Sequence, residues 1–140
     1  MDPVEFAKSA LESGTRLNLI GDLSAARQQE VRIRFGWDIE STRITITEQI
    51  AYKITHKSEE GRQKLDPMEV SLIKLVINEG QMLEPNKKVE NRAVFEQASP
   101  YGLYRVVVSH LEKSGGTPTH ELRVVTAFRL GKPREGQSGG

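Results

Sequence analysis

Apolar and polar residues alternate at the start of segment 43–62 and then change to a helical period. Ile44 and Ile46 alternate with threonines, as they would in a half-buried strand. From Ile46 onward, isoleucines recur every fourth residue, at Ile50 and Ile54, which is the spacing of one helix face. The pattern therefore predicts a strand that runs directly into an amphipathic helix.

Two capping signals place the start of this helix near Thr47. Thr45 and Glu48 have the spacing of a capping box, and Thr47 is an alternative cap. The side of the helix opposite the isoleucines carries polar residues, namely Gln49, Tyr52, Lys53 and His56. This face is either solvated polar surface or a set of reactive groups comprising a phenol, an ammonium and an imidazole.

The N-terminal segment has the signals of another helix. Asp2 as N-cap and Pro3 at the first helical position begin it, and Gly14 follows its expected end near Glu12. Its predicted packing face consists of Phe6, Ala7 and Leu11.

Segment 17–39 contains a strand and then an ambiguous stretch. Apolar residues predict a short strand ending at Asp22, and either Asp22 or Ser24 caps the helix that follows. Alternating apolar residues over 31–39 indicate a strand, whereas Gly36 lies where a helix from Ser24 would end in a left-handed residue. We expect a short helix followed by a strand.

The second half of the chain changes from helical to β character. Asp66, Pro67 and Glu69 repeat the cap, proline and acidic third position, and they predict a helix that runs to Gly80. Its apolar stripe consists of Met68, Leu72, Ile73 and Val76. Three strands are expected after it, at about 89–96, 103–111 and 120–130, with a hairpin loop over 112–119.

Helices that precede consecutive strands are typical of an α+β fold. We expect N-terminal helices packed on a C-terminal antiparallel sheet. The 140 residues are enough for one domain with a real core, predicted over residues 1–130. Residues 131–140 lack apolar content and are predicted to form a disordered tail.

Composition removes several classes of function. The chain has no cysteine, which excludes disulfides, thiolate metal sites and thiol nucleophiles. No apolar run reaches membrane-spanning length and no signal peptide opens the sequence, so no membrane partner is expected. Net charge is +1, but residues 86–140 carry nine Lys/Arg against five Asp/Glu, which is compatible with an anionic partner.

The absence of several sequence motifs argues against further kinds of chemistry. The phosphate-binding loop, the dinucleotide fingerprint, the H-E-x-x-H zinc motif and the G-x-S-x-G elbow do not occur. The three histidines, His56, His110 and His120, have no helical ligand spacing, so we expect no metal and no cofactor.

One hydroxyl interrupts an apolar row in the last predicted strand. Thr126 is expected to share a strand face with Leu122, Val124 and Phe128. Threonine is also a common strand residue, so β propensity alone can explain it.

Several short motifs occur in order between Asp22 and Phe128. An isoleucine-rich helix with a histidine near its end, ITEQIAYKITHK, precedes a charged link, EEGRQKL. A helix beginning DPME and three strands closing with RVVTAF follow. In this order the chain resembles the barnase/EndoU/colicin/RelE superfamily of endoribonucleases, in its phage-associated and polymorphic-toxin branch. Family members often carry two histidines four residues apart on the central helix, where this chain has Tyr52 and His56.

The resemblance implies a barnase-like fold and metal-independent cleavage of RNA, with tRNA among the candidate targets. His56, Arg62 and Thr126 match the family's functional positions, and Lys53 and Arg105 are further matches. A base removes the proton of a ribose 2′-OH, this oxygen attacks phosphorus, and an acid protonates the departing 5′-oxygen to leave a 2′,3′-cyclic phosphate. His56 suits either step, and Tyr52 or Lys53 is the second proton-transfer group.

Two further arginines are assigned to phosphate binding. Arg105 and Arg123 lie in the last two predicted strands, and guanidinium groups bind phosphate in a bidentate manner. His110 and His120 match no functional position of the family.

The expected partners are RNA and a small acidic immunity or antitoxin protein that covers Lys53, His56 and Arg62. We expect a cytoplasmic site of action, reached as the end domain of a secreted or phage-borne protein. The alternative is a non-catalytic nucleic-acid-binding or protein-interaction module of a phage or toxin system, in which the same basic residues only contact phosphate.

Overall fold

The computed structural model describes residues 1–37, 43–85, 91–114 and 116–131. Its helices are α1 (Pro3–Ser9), α2 (Ala25–Phe35), α3 (Glu48–His56), a 3₁₀ helix (Pro67–Leu72) and α4 (Ile73–Glu79). Its strands are β1 (Leu17–Asp22), β2 (Arg43–Thr47), β3 (Arg62–Gln63), β4 (Gln81–Met82), β5 (Arg92–Ser99), β6 (Gly102–Ser114) and β7 (Thr117–Leu130). The predicted α+β class is confirmed.

The described strands form one sheet in the order β1-β2-β7-β6-β5-β4. Strands β5, β6 and β7 pair antiparallel, as predicted, whereas β2 and β7 pair in parallel. Strand β2 pairs with β7 at Leu122, and the short strand β3 pairs with β7 at Leu130. Because α3 connects β2 to the segment that leads into β3, this helix lies along the second half of β7.

Helices cover one face of the sheet and bury the core there. Helix α4 contacts β5 and β6, and α1 contacts both α3 and the 3₁₀ helix. Ile73 and Ile77 of α4 are fully buried, together with Phe95 and Val106 of the sheet. Burying each such side chain contributes about 1.5–3 kcal/mol. The opposite face of β5, β6 and β7 carries mainly half-buried residues.

Helix α1 begins as predicted and ends earlier. Asp2 accepts hydrogen bonds from two amides of the first turn. The last helical residue is Ser9, not Glu12. The reason is the buried carboxylate of Glu48, which accepts a hydrogen bond from Leu11 N at 2.8 Å and draws the chain away from the helix axis. Leu11, predicted to pack, is therefore exposed.

Helix α2 replaces part of the strand predicted over 31–39. Ser24 caps the helix, and Gly36 ends it with a left-handed φ of 68°. Val31 is fully buried whereas Ile33 is exposed, because residues two apart lie on opposite sides of a helix. The alternation was thus misleading over its first half, and its last position lies outside the described residues.

The segment from Asp66 to Gly80 forms two helices instead of the predicted one. Asp66 N donates a hydrogen bond to Glu69 Oε1 at 2.8 Å, which confirms the capping signal. The first part is 3₁₀, and the α-helix begins only at Ile73. The tighter 3₁₀ winding changes which residues share a face, and Met68, predicted to be apolar core, is exposed.

A β-bulge in β7 changes which side chains share a face. Val124 and Thr126 pair with consecutive residues of β6, so Val125 is the extra residue. Leu122 and Val124 belong to the core, whereas Thr126 lies on the opposite face. The prediction that one face holds Leu122, Val124, Thr126 and Phe128 is therefore wrong.

The last two strands are longer than predicted. Strand β6 continues to Ser114 and β7 begins at Thr117, so most of the loop expected over 112–119 is strand. Strand β5 runs from Arg92 to Ser99, and the expected start at 89 lies outside the described residues. The predicted tail, beyond residue 131, also lies outside them.

Candidate functional site

Helix α3 presents the polar face that the sequence predicts. Thr47 caps it by accepting a hydrogen bond from Ile50 N at 3.4 Å, so the alternative capping box of Thr45 and Glu48 is wrong. Ala51 and Ile54 are buried in the core, while the other side exposes its polar residues. The exposed side chains are Gln49, Lys53 and His56, with Tyr52 partly buried.

A tight turn after α3 brings the chain back to the sheet. Glu59 and Arg62 form an antiparallel bridge with backbone hydrogen bonds of 3.1 and 2.9 Å. Gly61 has a φ of 76°, a conformation that glycine adopts without the steric cost of a Cβ. Leu65 N then donates to Ile54 O at 2.8 Å and anchors the end of the link to the helix.

A cavity of about 440 Å³ opens between this turn, the end of α3 and the sheet. Four cationic side chains line it, whereas Glu59 is the one carboxylate among the described lining residues. The cations are Lys53, Lys57, Arg62 and Arg92. Ser58 and Thr126 add hydroxyl groups. Such a lining favours an anion that also accepts hydrogen bonds, and phosphate fits this description.

Arg62 is held in place by two contacts within the cavity. Its guanidinium carbon lies 4.5 Å from the centroid of the Phe128 ring. Its Nη1 lies 3.6 Å from Glu59 Oε2, and the arginine side chain remains 48% exposed. The aromatic ring and the carboxylate therefore orient a cation that can still reach a ligand.

Thr126 reaches the cavity because of the β-bulge. Without the extra residue at Val125, the alternation of β7 would direct Thr126 to the core, with Val124. Of the seven predicted site residues, Lys53, Arg62 and Thr126 thus come together in one cavity, although residue 53 is far from residue 126 in sequence.

His56 and Tyr52 form a stacked pair on α3, in which His56 is exposed and Tyr52 packs partly against the core. Their rings stack with centroids 3.9 Å apart and an interplanar angle of 11°. His56 Nδ1 lies 3.0 Å from Tyr52 O and 3.0 Å from Thr55 Oγ1. Neither His56 nor Tyr52 is among the described residues that line the cavity.

The two arginines assigned to phosphate binding lie elsewhere on the sheet. Arg105 Nη2 is 2.8 Å from Glu96 Oε2, and its Nε is 3.0 Å from the same oxygen. Arg123 Nε donates to Thr45 Oγ1 at 2.8 Å, and its Nη2 lies 3.5 Å from buried Glu121. Each arginine has a carboxylate of the protein beside it, and neither is among the described lining residues of the cavity.

Three charged lining residues were not among those predicted from sequence: Lys57, Glu59 and Arg92. Lys57 follows Lys53 by four residues, a spacing that continues the polar side of α3 and could have indicated it. Glu59 and Arg92 carry no comparable signal, because the turn at Gly61 and the pairing of β5 determine where they lie.

Two strongly shifted pKa values belong to structural groups. The Arg16 side chain, helped by the amide of Leu11, lowers the pKa of Glu48 to about 2. Burial, reinforced by a hydrogen bond to Glu69, raises the pKa of the Tyr104 phenol to about 12. Glu48 ties the N-terminal segment to α3, and Tyr104 ties β6 to the 3₁₀ helix.

His110 and His120 form part of an aromatic cluster near one end of the sheet. The ring of His110 lies 5.3 Å from Trp37 and 5.9 Å from His120. Among the residues that the structure describes, no group of three or more histidine or acidic side chains is arranged to hold a metal ion.

Comparisons with protein-family models, curated proteins and solved structures found no match for this chain. The resemblance to barnase-like endoribonucleases therefore rests on its sequence motifs. Within the described part of the chain, no helix combines the length and apolar character needed to span a lipid bilayer.

Proposed function

We propose that the protein is a metal-independent endoribonuclease whose cation-lined cavity binds the scissile phosphate of RNA. The supporting observation is the meeting of Lys53, Arg62 and Thr126 in one cavity. These residues come from a helix, a turn and a distant strand, and all three are among the site residues expected from the sequence.

The charges of the cavity suit the transition state of phosphodiester cleavage. Negative charge builds up on the non-bridging oxygens of phosphorus during attack. The fork of Arg62 is directed by Phe128 and can donate to two of these oxygens. The Thr126 hydroxyl can donate one further hydrogen bond.

Glu59 and Lys53 are the proton-transfer groups of this proposal. The Glu59 carboxylate accepts the proton of the ribose 2′-OH as the bond between O2′ and phosphorus forms. The Lys53 ammonium gives a proton to O5′ as the bond between phosphorus and O5′ breaks. The products are a 2′,3′-cyclic phosphate and a free 5′-hydroxyl, and the two protons balance without an added reagent.

This assignment gives proton transfer to Glu59 and Lys53 instead of His56. The catalytic role of His56, which the sequence suggests, stays a prediction. His56 is on the same helix as Lys53, but its ring stacks on Tyr52 outside the cavity lining. Substituting Glu59 and His56 separately distinguishes the two assignments.

The test is cleavage of 5′-labelled single-stranded RNA in the presence of EDTA. The parent protein should cut it, and Glu59→Gln should lower the rate about 10²- to 10⁴-fold, the usual effect of removing a general base. His110→Ala serves as the control because His110 lies in the aromatic cluster, and this variant should retain the parent rate.

Loss of cleavage in His56→Ala with retention in Glu59→Gln would return the proton transfer to His56. An absolute requirement for Mg²⁺ would contradict the mechanism. RNA binding by the parent protein without any cleavage would support the alternative of a non-catalytic nucleic-acid-binding module.

An acidic neutralising protein that covers the cavity is the second part of the proposal. The excess of cations around Arg62 would attract such a partner and be masked by it. Harmless high-level expression of the chain alone, followed by full RNA cleavage by the purified protein, would argue against the need for this partner.

A further inference from the structure

Arg92 extends the cavity across the sheet, far from Arg62. It is the first residue of β5 and is exposed. Ser109 of β6 pairs with Arg92 on one side and with Arg123 on the other, so Arg92 lies at the level of Arg123. Arg62 pairs with Leu130, near the other end of β7.

The strand pairing gives the separation of the two arginines. Across the sheet, three strand spacings separate β3 from β5, with β7 and β6 between them. These spacings amount to about 14 Å. Leu130 and Arg123 pair with Leu103 and Ser109 of β6, which are six residues apart, so the distance along the strands is about 20 Å at roughly 3.3 Å per residue. The two Cα atoms are therefore about 24 Å apart.

Side-chain reach shortens this distance without closing it. An extended arginine places its guanidinium roughly 7 Å from its Cα, so about 10 Å remains between the two guanidinium groups even if they point at each other. Both nevertheless line the same cavity, with Thr126 on the strand between them. One phosphate group is too small to contact both arginines.

We infer that Arg92 forms a second phosphate subsite, so that the substrate is an RNA chain with at least two phosphates lying across β7 and β6. This inference rests on the proposed RNA-cleaving function. Arg62 and Thr126 hold the scissile phosphate, and Arg92 holds another phosphate farther along the chain. None of the described carboxylates forms an ion pair with Arg92, whereas Arg62 has Glu59 beside it.

The experiment is equilibrium binding of oligouridylates with 2′-O-methyl groups, which have no 2′-OH and cannot be cleaved. An oligomer of two nucleotides has one phosphate, and each further nucleotide adds one. The parent protein should bind the hexanucleotide far more tightly than the dinucleotide. Arg92→Ala should weaken hexanucleotide binding about tenfold and leave dinucleotide binding unchanged, and it should reduce the salt dependence by roughly one phosphate contact.

Arg32→Ala is the matched control, because Arg32 is an exposed arginine on α2 outside the described cavity lining, and it should match the parent at every length. The second subsite alone would be overturned if Arg92→Ala lost the same factor in affinity for the dinucleotide and the hexanucleotide. It would also be overturned if the affinity of the parent protein did not change with oligomer length. If the parent protein neither binds nor cleaves RNA, the second subsite and the proposed function are both overturned.

Discussion

Replacing Arg62 by alanine should abolish most of the cleavage activity. It should reduce the stability of the fold only slightly. In the proposed mechanism, its guanidinium donates to the phosphate oxygens as their charge develops. Removing one such donor from a preorganised site typically costs about 10²- to 10³-fold in rate. Arg62→Lys keeps the charge and loses the bidentate fork, so it should recover only part of the rate.

The expected loss of stability follows from the contacts of Arg62. Its ion pair with Glu59 spans 3.6 Å between side chains that are 48% and 62% exposed, and pairs of this kind contribute about 0.2–1 kcal/mol. Its position over the Phe128 ring contributes about 0.5–1 kcal/mol. The backbone pairing of β3 is kept, so the free energy of unfolding should fall by about 1–2 kcal/mol at most.

Two measurements on the same preparation check this prediction. Single-turnover cleavage of a labelled RNA gives the rate, and urea unfolding gives the free energy. Arg32→Ala on α2 controls for the loss of one exposed arginine. A rate loss no larger than the fraction of protein unfolded would refute the catalytic role of Arg62 and leave it a structural residue of the turn.

Three other substitutions test the candidate site, the Glu48 carboxylate and the core separately. Thr126→Val removes the hydroxyl at nearly constant volume and should lower the cleavage rate about tenfold with an unchanged urea midpoint; unchanged cleavage would remove Thr126 from the site. Glu48 has its pKa lowered from 4.5 to about 2, so its ionised form stabilises the fold above pH 4.5 and this contribution is lost as the pH falls to about 2. In Glu48→Gln, urea midpoints should therefore be lower at neutral pH and change less between pH 4.5 and 2 than in the parent, and parallel curves would contradict this. Phe95→Ala empties a fully buried position under the Arg27 guanidinium and should lower the free energy of unfolding by about 3–5 kcal/mol in urea titrations, whereas a loss below 1 kcal/mol would contradict its place in the core.

Local signals in the sequence predicted where the helices begin, because nearby side chains cap these ends. Asp2, Ser24, Thr47 and Asp66 all cap helices as expected. The end of α1 could not be predicted, because it depends on Glu48, which is distant in sequence. The helical course of α2 was obscured because Val31 and Ile33 mimic a strand alternation.

The site shows the same division between local and long-range information. Lys53 was predicted from the period of α3, which is local. Thr126 was assigned by resemblance and placed on the wrong face, because a bulge at Val125 has no clear signal in one sequence. Glu59 and Arg92 were missed, because a glycine turn and a strand pairing bring them to the cavity.

In the proposed mechanism the ribose 2′-OH is the nucleophile, and the cation-lined cavity promotes its attack. The most direct test is a labelled oligodeoxynucleotide that carries a single ribonucleotide, incubated with the protein in EDTA. We expect one cut, immediately 3′ of the ribonucleotide, with a 2′,3′-cyclic phosphate on the upstream fragment and a 5′-hydroxyl on the downstream fragment. Cleavage at deoxynucleotides, or a 5′-phosphate on the downstream fragment, would contradict it.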